Sequence, residues 1–254
     1  MDTRDEYDAM GTVPVPATAY FGASTQRARE NFGKSGLMPP KAFIHALALI
    51  KQCGALANQE LQLLTGERAA AIAQAAQEVI NGRFDDQFVV DLFQTGSGTS
   101  TNMNMNEVLA SRANEIITGT KGGKAPVHPN DHVNLGQSSN DVIPTAMHLS
   151  ALLDIQKHLM PALEGLHATR TEKAAEFQTV AKIGRTHLQD AVPILLGQEF
   201  GGYARQVALG QQRVVRGLFS LCELALGGTA VGNGLNTHPD FAKLVIARLN
   251  KQTS

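Results

Sequence analysis

Between residues 142 and 177 the apolar side chains Leu152, Ile155, Leu159, Leu163 and Leu166 recur at three- and four-residue steps, interrupted by Pro161, which predicts a kink. That period lays one apolar stripe along a helix too long for a small compact domain to cover, so the chain must set it among other helices in a bundle. A second stretch, 194–226, makes the same demand. Shorter helices are expected at 41–64, after the punctuation of Pro39 and Pro40, at 67–80, ending on Asn81-Gly82, and from 239 to about 250. Aromatics are 5% of the chain and Trp is absent, so most apolar mass is Ala, Leu, Val and Ile in windows without alternation. The expected fold class is therefore mostly α. The run 88–93, Phe-Val-Val-Asp-Leu-Phe, fits a strand or a buried helix equally well.

Several function classes fall away on composition. At 254 residues the chain can bury a core without staples, and 22 basic against 23 acidic side chains leave no excess charge for a nucleic-acid backbone or an anionic membrane. No apolar run approaches the roughly 20 residues that span a bilayer. The polar start, Met1-Asp2-Thr3-Arg4, carries no secretory or transit pattern, so a cytoplasmic protein is expected. Cys53 and Cys222 lie in apolar helical stretches and predict two buried, reduced thiols.

The remaining signal is polar. Residues 95–102 are all small and polar or Gly and open onto a helical stretch; 121–141 ends in Gln-Ser-Ser-Asn-Asp before the long helix, with Ser139 or Asn140 as its N-cap and Pro144 in its first turn; 184–190 leads through Pro193 into the second long helix. A helix N-terminus offers unpaired N–H groups and a positive dipole end, which suit an anion. Singly, each loop is explained by capping and turn chemistry. Together, Ser97, Thr99, Ser138, Ser139, Asn140, Thr186 and His187 are better explained as converging on a small anionic substrate. Rival motifs fail: Gly33-Lys34-Ser35 lacks the first glycine and the strand of a phosphate loop, Gly96-Ser97-Gly98 has Thr101 where a dinucleotide fingerprint needs its third glycine, and His128 and His132 have Pro129 between them and no third metal ligand.

The strings Thr95-Gly-Ser-Gly-Thr-Ser-Thr-Asn-Met-Asn-Met-Asn-Glu107, His128-Pro-Asn-Asp-His-Val133, Gln137-Ser-Ser-Asn-Asp141, Gly184-Arg-Thr-His-Leu-Gln-Asp-Ala-Val-Pro193 and Gly227-Gly-Thr-Ala-Val-Gly232 resemble class II fumarase, from about Met10 onward. The resemblance implies the fold of the fumarase/aspartase superfamily: an N-terminal lyase domain at 1–138, an incomplete central helical bundle at 139–254, and no C-terminal domain within this sequence. It implies a homotetramer that hydrates fumarate reversibly to L-malate without metal or cofactor. By position, Ser97, Gly98, Thr99, Ser138, Ser139, Asn140 and Thr186 would hold the substrate carboxylates and His187 would relay the proton. His128, Pro129, Asn130 and Asp131 would form a peripheral dicarboxylate site. A sibling lyase such as aspartase is the nearest alternative, but aspartase carries Gln where this chain has His187. From another class, the loops could be mere caps on a helical oligomerisation module. The family's third signature, Gly-Ser-Ser-x-Met-Pro-x-Lys-x-Asn-Pro, does not occur in the 254 residues. With it go the serine base for the C3 proton, a lysine and an asparagine for the substrate, and the partner of the histidine. The expectation is that this chain alone turns nothing over.

Overall fold

The computed structural model describes residues 2–33 and 35–253; Lys34, in the rejected phosphate-loop fragment, falls outside them. Its contacts divide the chain into two compact units, 1–150 together with 224–254, and 151–223.

The first unit is built on helices α1 (Ala23–Phe32), α2 (Lys41–Glu60), α3 (Gly66–Ile80) and α4 (Thr99–Thr118), with the start of α5 (Ser139–Asp154) and the last helix, α8 (Phe241–Thr253). Pro40 presets the entry to α2, whose Ile44, Leu47 and Ile50 are buried. Opposite them α3 offers Ala69, Ala75 and Ala76 beside Ile72, and small side chains let the two axes approach closely. Full burial of a side chain such as Leu47 or Ile72 stabilises the fold by about 1.5–3 kcal/mol. The returning α8 packs on α2 and buries Phe241, Val245 and Leu249.

Two elements here lie outside the helices expected from the apolar period. An antiparallel hairpin, β1 (Thr3–Asp8) and β2 (Gly11–Pro16), buries Glu6, Val13 and Val15 and is tied down by Arg4, which donates to the carbonyls of Ala19 at 2.6 Å and Phe21 at 3.0 Å and to Glu6 at 3.0 Å. Helix α1 is capped from across the unit: the Glu107 carboxylate accepts the N–H groups of Gly22, Ser24 and Thr25 at 2.9, 2.9 and 3.0 Å. The ambiguous run 88–93 is neither strand nor helix. It is irregular backbone that bends at Leu92 and Phe93, with Phe88 and Val90 buried, Val89 N–H donating to Asn104 and Leu92 N–H to the Leu37 carbonyl.

The second unit is a helical hairpin, α6 (Met160–Glu176) against α7 (Leu196–Leu221), with a β-hairpin between them, β3 (Ala181–Thr186) and β4 (Gln189–Leu195). The kink expected at Pro161 takes the form of a π-turn at Ile155–Leu159 just ahead of it, which relieves the missing N–H. At Gly197 the helices touch: a Cβ there would lie 2.5 Å from the Ala174 carbonyl oxygen. Phe177, Phe200 and Tyr203 stack edge to face alongside.

Four expectations are corrected. The loop at 184–190 does not run straight into a helix: it is a strand, a tip and a second strand, and α7 begins only at Leu196 and ends at Leu221 rather than 226. Cys53 is buried but Cys222 is exposed, because it caps the end of α7, where few side chains pack in this unit. Helix α4 starts at Thr99, so half of the first polar loop is its first turn. Pro144 sits inside α5 rather than in its first turn. Among the described residues no helix is long and apolar enough to cross a membrane.

Candidate functional site

In the first polar loop, Gly98 is the N-cap of α4, with φ +69°, and a Cβ there would lie 3.1 Å from Ile143 of α5. Only glycine satisfies both the left-handed backbone and that approach. Gln94 clamps the turn: its Oε1 accepts Thr101 N–H at 2.9 Å and its Nε2 donates to Thr101 Oγ1 at 2.5 Å. Below it, buried Asp91 accepts from Ser35 N–H and Oγ–H, Gly36 N–H and Phe93 N–H. The Phe93 N–H and the Ser35 hydroxyl lead those donors in holding its carboxyl down to about 2. Beside the loop opens a cleft of about 530 Å³ lined by Phe43, Phe93, Thr95, Gly96, Thr101 and Ile143.

The second loop caps α5 one residue earlier than expected. Ser138 Oγ accepts Asn140 N–H at 3.2 Å, its carbonyl receives Val142 N–H, and Asp141 reaches back to Ser138 N–H at 2.9 Å, a reciprocal capping box. The other Asp141 oxygen accepts Gly227 N–H at 3.2 Å and Thr229 N–H at 2.9 Å, and Asn140 Nδ2 donates to the Ala230 carbonyl at 2.7 Å. The Gly-rich stretch 227–230 is thereby fastened to the loop.

The two loops meet through hydroxyls. Ser97 Oγ and Thr99 Oγ1 are 2.9 Å apart, and Thr99 Oγ1 and Ser139 Oγ 3.0 Å. Ser97, Thr99 and Asn140 are exposed and Ser138 and Ser139 half-buried, so the chain of hydroxyls is open to a ligand at the N-termini of α4 and α5. Such neutral donors with two positive dipole ends can hold a carboxylate.

Thr186 and His187 belong to the second unit. They lie at the β3–β4 tip, with Thr186 paired to Gln189, so His187 and Leu188 form a two-residue turn. Both have positive φ, +50° and +60°, and Leu188 is wholly exposed. Two non-glycine residues in the left-handed region, one of them a bare leucine, is backbone strain of the kind kept at functional sites.

In the first unit, His128 caps a π-turn at Pro129–Val133: its Nδ1 accepts Asn130 N–H at 3.2 Å and Asp131 N–H at 3.1 Å. His132 Nδ1 accepts His128 N–H at 2.8 Å, and burial holds the His132 imidazole below its ordinary pKa. Both Nδ1 atoms are thus engaged by backbone, and Asn130 and Asp131 face solvent.

Several organising residues have no local sequence signal. Asp91, Asp141, Glu107 and Lys51 take most of their partners from distant parts of the sequence, and Gln94 closes a turn onto Thr101. The hint in the sequence is a charge set in or against an apolar run, as Asp91 is within 88–93 and Lys51 is directly after 46–50.

The profile of a family described as Lyase matches residues 11–254. The chain is 57% identical over 246 residues to a class II fumarate hydratase of Nitrosomonas europaea, covering 97% of this chain and 53% of that protein. It is 52% identical to a class II fumarate hydratase of Methylorubrum extorquens, covering 100% of this chain and 54% of that protein. A class II fumarase of Schistosoma mansoni, known by crystal structure, superposes with a TM-score of 0.95 at 43% identity, covering 99% of this chain and 53% of that one. The chain spans about half the length of the curated relatives it matches.

Proposed function

This chain belongs to the lyase family, and from that premise we propose that its parent enzyme is a class II fumarate hydratase, adding water to fumarate to give L-malate and reversing the reaction. The observation that carries the reading is the hydroxyl chain Ser97–Thr99–Ser139, which joins the two signature loops at two helix N-termini. Hydration and dehydration pass through a carbanion whose charge spreads onto the adjacent carboxylate as an aci-carboxylate, so donors set around that group lower the barrier most. Around that carboxylate, neutral Ser, Thr and Asn donors avoid a permanent ion pair that would hold ground and transition states alike. In this reading Gly98 keeps the helix termini close, Ser138 and Asn140 complete the carboxylate cradle, and Thr186 and His187 come to it in the assembled protein. His187 exchanges the proton of the C2 oxygen, as a side chain that can both give and take a proton. His128, Pro129, Asn130 and Asp131 form a peripheral anion site away from the reacting carbons.

The same reading makes 1–138 the N-terminal lyase domain, 139–254 part of the central bundle, and the parent a cytoplasmic homotetramer. Exposed apolar side chains on α7, Val215 and Phe219, support self-association of that bundle. The test is a chimera joining this chain to the remaining half of the Nitrosomonas europaea relative, purified from a host lacking fumarase. Loss of fumarate absorbance with L-malate as product is expected, with amination of fumarate at background. Amination without hydration would make the chain a sibling lyase, and neither reaction with no dicarboxylate binding would leave a helical scaffold.

A further inference from the structure

In the middle of α2 stands a lysine without an ion-pair partner in hydrogen-bond reach among the described residues. Lys51 is fully buried, and its Nζ donates to two neutral amides, Asn134 Oδ1 at 2.8 Å and Gln137 Oε1 at 3.0 Å. Burying an ammonium against amide oxygens is expensive, so it is kept only where its donors do something that an apolar side chain would not. What they do is fix the turn that feeds the second signature loop. Gln137 Nε2 donates onward to the carbonyls of Val133 at 3.1 Å and Leu135 at 3.3 Å, Asn134 Nδ2 to the Gln137 carbonyl at 3.1 Å, Asn102 of α4 to Asn134 at 3.2 Å, and Asn58 of α2 to Leu135 at 3.1 Å. Lys51 is the one cation in this web of amides, and the web ends at the peptide joining Gln137 to Ser138, the cap of α5.

We infer that Lys51 is a positioning residue for substrate recognition: its ammonium draws Asn134 and Gln137 together and so sets Ser138, Ser139 and Asn140 for a carboxylate. The inference rests on the reading of that loop as part of a dicarboxylate site. Lys51 touches neither substrate nor reacting atoms. Its action runs through Gln137 and the α5 cap.

The geometry has a pH consequence. Desolvation brings the Lys51 ammonium down to about 7, opposed by the Asp141 carboxylate on α5, the charged group that acts on it. The turn 134–137 and α4 present it with the neutral amides of Asn134, Gln137 and, through Asn134, Asn102. Below about 7 the ammonium holds both oxygens; above it, the neutral amine holds them more weakly, so dicarboxylate affinity should fall as pH rises through that range.

The experiment uses the fumarate-hydrating chimera. Lys51→Met, close in length and apolar, should raise KM for fumarate about tenfold at pH 6, the worth of one lost charge-assisted hydrogen bond, while kcat changes less than about threefold. It should also erase the limb near neutral pH in the profile of 1/KM. Gln137→Glu supplies a second variant: it keeps an oxygen on Lys51 and adds a charge that raises the lysine's pKa, so the limb should move to higher pH. A limb unchanged in both variants overturns the inference, as does a Lys51→Met loss confined to kcat. If the unsubstituted chimera binds neither fumarate nor L-malate by calorimetry, the dicarboxylate reading itself fails, and that result is separate from any effect of position 51.

Discussion

Thr99 is the residue on which the two signature loops depend, since its hydroxyl bonds both Ser97 and Ser139. In the active chimera Thr99→Ala should raise KM for fumarate by roughly 10- to 100-fold, about 1.5–3 kcal/mol for a donor lost to a charged ligand. Unchanged steady-state kinetics would remove the hydroxyl chain from the site. His187→Asn should instead cut kcat far more than it weakens L-malate binding, because it deletes a proton carrier and keeps a polar group; calorimetry beside kinetics separates the two. A third expectation concerns acid. Asp91, with its carboxyl held at about 2 against 3.8 for the ordinary group, contributes stability that is full above the ordinary value and lost as pH falls through about 2. Asp91→Asn should therefore unfold the chain at higher pH in an acid titration followed by circular dichroism, and coincident curves would show the four donors to be idle. The hydroxyls that meet in the candidate site, those of Ser97, Thr99 and Ser139, were legible because they stand in polar clusters of the sequence. Asp91, Asp141 and Lys51 were not, since what makes each important is a partner brought in by the fold: Ser35 for the first, Thr229 for the second, Gln137 for the third.

At the scale of elements, the helices were legible and their ends were less so. Apolar period found α2, α3 and α8 to within a few residues, because burying one stripe against neighbours decides those segments. It placed the cap of α5 one residue late, since Ser138, Ser139 and Asn140 are equally good caps and only Asp141 reaching back selects the first. Both hairpins were missed: β1 and β3 bury a single residue each and show no alternation, and in β2 the alternation is confined to Val13 and Val15, beside prolines that read as turn signals. The β3–β4 tip makes a stability prediction. Leu188 is exposed at φ +60°, where a side chain costs about 1 kcal/mol and glycine almost nothing. Leu188→Gly should thus raise the thermal midpoint by a few degrees, offset in part by the freer unfolded chain. A lower midpoint would mean that Leu188 makes contacts worth more than its strain.

The units of the whole molecule are unequally self-sufficient. The first buries Leu47, Ile50, Ile72, Met105, Leu109 and Phe241 almost entirely, whereas the second leaves Val180, Val192, Val215 and Phe219 exposed and has little beyond Ala174 and Ala204 inside. A helical pair with so bare an apolar face should gain partners, so the 254-residue chain alone is expected to elute in light-scattering chromatography well above its 27.1 kDa monomer mass, and Phe219→Glu to shift it toward that mass. Catalysis is expected to fail for a separate reason. The proposed reaction needs a base for the C3 proton and, beyond the neutral donors, a cation for the dianion's other carboxylate; under that proposal His187 serves the oxygen side, and Lys51 is fully buried. Self-association alone supplies more copies of the same residues and therefore neither missing group. The chain by itself should leave fumarate absorbance at background at any concentration, and activity should appear only when a separately produced segment carrying the third signature is added. Hydration by the chain alone would show that a base exists among the residues already present, with the β3–β4 tip the first place to look for it.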